Sequence, residues 1–155
     1  MGNTDQEITE YLKNIEKMAP KTYSDVPEKI QEILEATYEE RLEWGVEESA
    51  QYVFELHKFE MFLKKEINKN NSKLAYAEKL LHKMRGLNAS NWGDKFTKWD
   101  EKVCRYEAQD SVCQALHQII LDTQCYINEI KGMAFVLTDL CKSLNNIVFI
   151  KRGTE

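Results

Sequence analysis

From Val112 the series Leu116, Ile119, Thr123, Tyr126, Ile130, Met133, Leu137, Leu140, Leu144 and Ile147 alternates steps of four and three without a skip. Only a helix brings residues at that spacing to one side, and a five-heptad run of them constrains the chain more than any other feature. With these as a and d positions, the e positions are Cys113, Ile120, Ile127, Ala134, Cys141 and Val148, so 16 of 17 a/d/e sites are apolar against 5 of the 20 others. Three adjacent apolar positions are too wide for a two-stranded zipper and point to a bundle. As helix, residues 112–148 span about 55 Å, whereas a compact chain of this length has a radius of gyration of about 15 Å. The expectation is an elongated molecule whose short earlier helices leave much of the ribbon uncovered. Copies should then meet through Leu116, Ile119, Ile120, Tyr126, Ile127, Ile130, Met133, Leu137, Leu140, Leu144 and Ile147. Leu121, Phe135 and Phe149 share the f position on the far face, where an isolated bundle would expose them to water.

The rest of the chain also reads as helix. It has two prolines and six glycines, and no proline follows Pro27. Thr4-Asp5-Gln6-Glu7 is a capping-box pattern ahead of Ile8, Leu12, Ile15 and Met18, which predicts a first helix ending at Pro20. Ser24 and Asp25 can cap a second helix lined by Ile30, Ile33, Leu34, Tyr38 and Leu42, which Gly45 ends or bends. Tyr52, Leu56, Phe59, Leu63 and Ile67 continue the rhythm, a polar run covers 68–73, and Leu74, Ala77, Leu81 and Met84 resume it up to a stop at Gly86. The fold class is therefore all-α, an elongated helical bundle with a long C-terminal heptad-repeat helix. Its expected organisation is N-terminal helices over 1–86, a loop over 87–93 with Asp94 as the next cap, and an oligomerisation region over 94–155.

Charge is uneven along the chain. Residues 28–55 hold nine acids against two bases, and residues 58–106 hold twelve bases against six acids, although the net charge is only −5. The basic stretch interleaves Lys58, Lys64, Lys65, Lys69, Lys73, Lys79, Lys83, Arg85, Lys95, Lys98, Lys102 and Arg105 with the aromatics Tyr76, Trp92, Phe96, Trp99 and Tyr106. Cations meet phosphates without regard to sequence and flat rings stack on unpaired bases, so the pattern suits a single strand better than a duplex. The candidate nucleic-acid-binding residues are Lys58, Lys64, Lys65, Lys69, Lys73, Lys79, Lys83, Arg85, Trp92, Lys95, Lys98 and Trp99. A solvated basic helix face with core aromatics has the same spelling, and Phe96 and Trp99 stand three apart as buried neighbours do.

Enzyme motifs are missing. There is no GxGxxG or GxxxxGK[ST], and His57, His82 and His117 form no ExxH or HExxH pair. Glu39-Glu40-Arg41-Leu42-Glu43 spells the EExxE of all-α nucleotide pyrophosphohydrolases, but its only ExxD partner, Glu107-Ala108-Gln109-Asp110, lies more than sixty residues on. Cys104, Cys113, Cys125 and Cys141 are too far apart for a ligand knuckle and read as reduced, mostly packed thiols. No catalytic residue, metal or cofactor is expected. With no run of eighteen apolar residues, no signal-peptide layout at MGNTDQEITE, and Gln6 where a myristoylation signal wants Ser or Thr, the expectation is a cytoplasmic protein without membrane contact.

Two segments carry a resemblance. LKKEINKNNSKLAYAEKLLHKMRG, 63–86, is similar to the lysine-rich helix ending in an Arg/Gly turn of the UvsY-type phage recombination mediators. DTQCYINEIKGMAFVLTDLCKSLNNIVFIKRG, 122–153, resembles that family's long terminal helix, above all at Lys142-Ser143-Leu144-Asn145-Asn146 and Phe149-Ile150-Lys151. The likeness is one of layout and covers roughly 50–153; the acidic segment 28–55 lies outside it, and His82-Lys83-Met84 replaces the family's tyrosine-rich turn. It implies a non-enzymatic protein that forms rings through its C-terminal helices, binds single-stranded DNA through the preceding basic part and helps load a recombinase, in the host cytoplasm if phage-encoded. The other reading is a helical interaction module, or a small phage-type inhibitor of a host factor, whose acidic segment 28–55 docks on a basic protein partner.

Overall fold

The computed structural model describes Glu10 and residues 26–153. Among these every regular element is helical: α1 (Glu28–Glu35), α2 (Tyr38–Glu43), α3 (Val46–Asn88), a 3-10 turn (Ala89–Asn91), α4 (Trp99–Gln109) and α5 (Ser111–Arg152). The fold is all-α, as the periodicity requires. The helix expected over 8–18 and its caps, together with Ser24 and Asp25, fall outside the described residues.

Three boundaries differ from expectation, each for a local reason. The second helix is two helices, because Thr37 starts a new one: its hydroxyl accepts the Glu40 N–H at 3.2 Å while its own N–H donates to Glu40 Oε2 at 2.7 Å. In contrast, α3 runs 43 residues, straight through the polar run 68–73 and past Gly86. A polar residue stops a helix only where its side chain caps the backbone, and a glycine only where it leaves the helical region. The one positive-φ glycine among the described residues is Gly93, at φ 141°. It shapes the third difference, a connection that extends to Lys98 instead of ending at 93. A Cβ on Gly93 would fall 2.8 Å from Thr97 Oγ1.

Compactness does not follow chain order. One compact unit comprises Lys69–Ile127, and a second joins residues 26–68 to 128–153. In the first, Ala77, Leu80, Leu81 and Met84 of α3 close on Ala89, Tyr106 of α4 and Cys113 and Leu116 of α5. In the second, Ile30, Ile33, Val53, Leu56 and Leu63 are buried, as are Ile130, Leu137, Leu140, Cys141, Leu144, Ile147 and Val148. There Thr138 Oγ1 donates to Glu60 Oε1 at 3.0 Å and Lys151 Nζ to the carbonyls of Leu42 and Trp44 at 2.6 and 2.5 Å, which sets the chain from Leu42 to Glu60 antiparallel to the end of α5.

This pairing corrects the expectation that a lone chain leaves the ribbon bare. Of the eleven residues assigned to subunit contacts, Leu116, Ile127, Ile130, Leu137, Leu140, Leu144 and Ile147 are buried within the chain. Ile119, Ile120, Tyr126 and Met133 are half-buried. That expectation counted only the short first and second helices as cover, whereas in each unit a part of the 43-residue α3 packs against its own part of the stripe. At about 1.5–3 kcal/mol per large side chain, this burial is the main stabilising term in both units. The f residues Leu121, Phe135 and Phe149 are 60%, 68% and 81% exposed. By length and composition α5 could cross a membrane, its most apolar 18-residue window having a mean hydropathy of 1.4.

Candidate nucleic-acid interface

The first unit sorts the sequence candidates by what already holds them. On α3, Lys69, Tyr76 and Lys83 stand seven apart and Lys79 and Leu87 lie one turn to either side of Lys83, so 3.6 residues per turn places all five on one face. All are exposed, and Glu78 is the single acid in 69–88. Lys79 and Lys83 make no ion pair among the described residues. Arg85 differs. It points to the helix packing, where its Nε donates to Glu107 Oε1 while His117 Nε2 lies 3.2 Å from Glu107 Oε2. Burial alone would raise the Glu107 carboxyl, but Arg85 and His117 outweigh it and hold the group below its ordinary value. This ion pair spends the charge of Arg85 on fastening α3, α4 and α5 together.

The connection into α4 is equally divided. Trp92 packs against the apolar cluster, its ring 6.3 Å from that of Tyr106, and so anchors the segment instead of offering a face for stacking. Asp94 Oδ1 accepts from Phe96 N at 2.8 Å, Thr97 N at 3.0 Å and Thr97 Oγ1 at 3.1 Å. The Phe96 N–H foremost, these donors hold the Asp94 carboxyl below its usual value. The turn they build leaves Phe96 81% and Trp99 50% exposed. Lys95 Nζ sits 5.0 Å over the Phe96 ring, and Lys98, exposed at the N-terminus of α4, joins no ion pair among the described residues. Phe96 was not among the twelve sequence candidates, because a spacing of three from Trp99 looks the same for two core rings as for two exposed ones.

The remaining candidates lie elsewhere or are engaged. Lys69 and Lys73 both have partners within the protein. In the second unit, Lys64 Nζ is 2.9 Å from Glu60, a carboxylate that also meets Thr138 and His57 and is held below its ordinary value, chiefly by Lys64. Lys58 and Lys65 are exposed. The acids of the EExxE pattern serve the backbone or face water: Glu40 caps α2, while Glu39 and Glu43 are exposed. Beside them an open groove of about 490 Å³ is lined by Glu32, Glu35, Ala36, Glu40, Glu43 and Trp44. Among the described residues no three of His, Cys, Asp and Glu are placed to hold a metal. All four cysteines are free; burial pushes the Cys113 thiol up to about 11 and raises that of Cys141, while Cys104 and Cys125 are exposed.

No protein-family model matches the chain, and neither does any curated protein or any solved structure.

Proposed function

We propose that this chain is a non-enzymatic, cytoplasmic helical protein that binds single-stranded DNA through its first unit and, as a homo-oligomer, assists the loading of a recombinase. The observation that carries the reading is that one unit presents both Lys79, Lys83 and Lys98, cations that no carboxylate among the described residues claims, and Phe96 and Trp99, rings left in water. Unclaimed cations are free to replace the counterions of phosphates, and an exposed ring stacks on a base whatever its identity. Each patch is weak. Several held in one assembly raise the effective concentration of the next contact, which lets the protein exchange one coating protein for another without ATP.

Fluorescence anisotropy with a labelled homopolymer single strand, and with a duplex of equal length, tests this. The single strand is expected to bind more tightly, and Trp99→Ala and Phe96→Ala each to cost about 1–3 kcal/mol, or at least several-fold in affinity. No binding at low salt, or equal affinity for the duplex, overturns the reading. The acidic groove favours the second reading, a docking module for a basic protein; capture of a basic partner that Glu35→Lys abolishes would support it.

A further inference from the structure

In the second unit α3 turns Phe54, Met61 and Phe62 to solvent, 65%, 62% and 53% exposed. Lys58 and Lys65 are exposed among them, and the spacing 54, 58, 61, 62, 65 is that of one helix face. Val53, Leu56 and Leu63 supply the opposite, buried side. Lys65 joins no ion pair among the described residues, and Lys58 approaches Glu55 only to 3.9 Å with 71% of its side chain exposed. Elsewhere in the same unit α2 presents Tyr38 and Leu42, 58% and 42% exposed and one turn apart, flanked by exposed Glu39 and Glu43. The two surfaces share an apolar centre and carry opposite charge.

They cannot meet in one copy. α2 leads directly through Trp44 and Gly45 into α3, where Lys151 holds the carbonyls of Leu42 and Trp44, whereas residues 54–65 lie about 12 to 28 Å farther along the helix. We propose that they meet between copies: the apolar, basic face of α3 on one molecule receives the apolar, acidic face of α2 on the next. Neither surface suits a copy of itself, since that would set lysine against lysine or glutamate against glutamate. The contact is therefore head-to-tail, and successive copies close into a ring or continue as a filament. Five side chains on one side and four on the other are well below the roughly 20–30 residues of a standard interface, so association depends on concentration and weakens with salt. The proposal supplies the subunit contact that the assembly half of the proposed function needs, in place of the ribbon that the chain covers itself; it does not depend on the nucleic-acid half.

Sedimentation velocity of the full chain, over a concentration series at low and high salt, tests it. At low salt the wild-type mass is expected to rise above the 18.2 kDa of one copy. A chain with Lys58→Glu and Lys65→Glu should stay single, as should one with Glu39→Lys and Glu43→Lys. Mixing the two variants should restore assembly, as should all four changes in one chain. Every altered side chain is exposed, and an unchanged helical circular dichroism spectrum confirms the fold. The proposal is overturned if the wild type remains a single copy throughout, if either variant assembles like the wild type, or if the mixture stays dispersed while the wild type assembles. A wild type that stays single yet sediments with phosphatidylserine vesicles assigns the α3 face to lipid and overturns it as well. Strand binding of the wild type separates the two readings: assembly without strand binding sinks the nucleic-acid reading alone, and a wild type that binds the strand while remaining a single copy sinks this one and leaves the nucleic-acid half standing.

Discussion

Replacing Lys79, Lys83 and Lys98 together by glutamine should change how salt acts on single-strand affinity, beyond any change in affinity at one salt concentration. The three are exposed and unpaired among the described residues, so each is free to displace counterions from a phosphate. Every such contact on a single strand adds about 0.7 to the steepness of log K against log salt, so removing three flattens the line by about 2. Over a fourfold rise in salt, the wild type should lose roughly 20-fold more affinity than the triple variant. Arg85→Gln and Lys64→Gln provide the decisive comparison. Arg85 is already neutralised by Glu107 and Lys64 by Glu60, and a cation with a protein partner has little counterion release left to contribute. Both should leave the slope of the line unchanged. Anisotropy titrations across a salt series measure it, and the reasoning is refuted if the paired cations flatten the line as much as the free ones, or if the triple variant keeps the wild-type slope.

Two further outcomes follow from the packing. Glu107→Gln should destabilise the fold by about 1.5–3 kcal/mol, the worth of hydrogen bonds to a charged group. Because the Glu107 carboxyl titrates below its ordinary value in the folded protein, its contribution is complete above the usual carboxylate range and is lost as pH falls through the depressed folded value. The difference in melting temperature between wild type and variant should therefore be largest near neutrality and shrink in acid; a difference independent of pH would contradict the ion-pair account. Leu116→Ala, at a fully buried position, should cost about 2–5 kcal/mol in urea unfolding. Phe135→Ala, two-thirds exposed on the same helix, should stay within about 0.5 kcal/mol, and equal costs would mean that the apolar face has been assigned to the wrong side of α5.

Much of the fold is legible in the residues themselves. The step of three and four from Val112 to Ile147 marks α5 and its buried side, because both depend on neighbours within two turns of the same helix. The capping box at Thr37-Tyr38-Glu39-Glu40 is also spelled in the sequence and could have been read there; the apolar rhythm from Ile30 to Leu42 runs across it and masked it. The polar run 68–73 lies inside α3, since polarity without a cap costs a helix only a few tenths of a kcal/mol per residue, and the helix passes the expected stop at Gly86 by two residues. Asn70 is even buried within α3.

The cations show where local reading ends. Arg85 and Lys83 are two residues apart, share a helix and carry the same charge, yet one fastens three helices and the other faces water. The carboxylate that decides between them is Glu107, 22 residues away, just as the partner of Thr138 is Glu60, 78 residues away. Likewise the sequence by itself determined that α5 has a broad apolar face, and the tertiary structure decided that within each unit other parts of the same chain bury most of it. Amphipathicity is fixed by side chains one turn apart, but which surface meets it depends on the register between distant segments, and no local spacing encodes that.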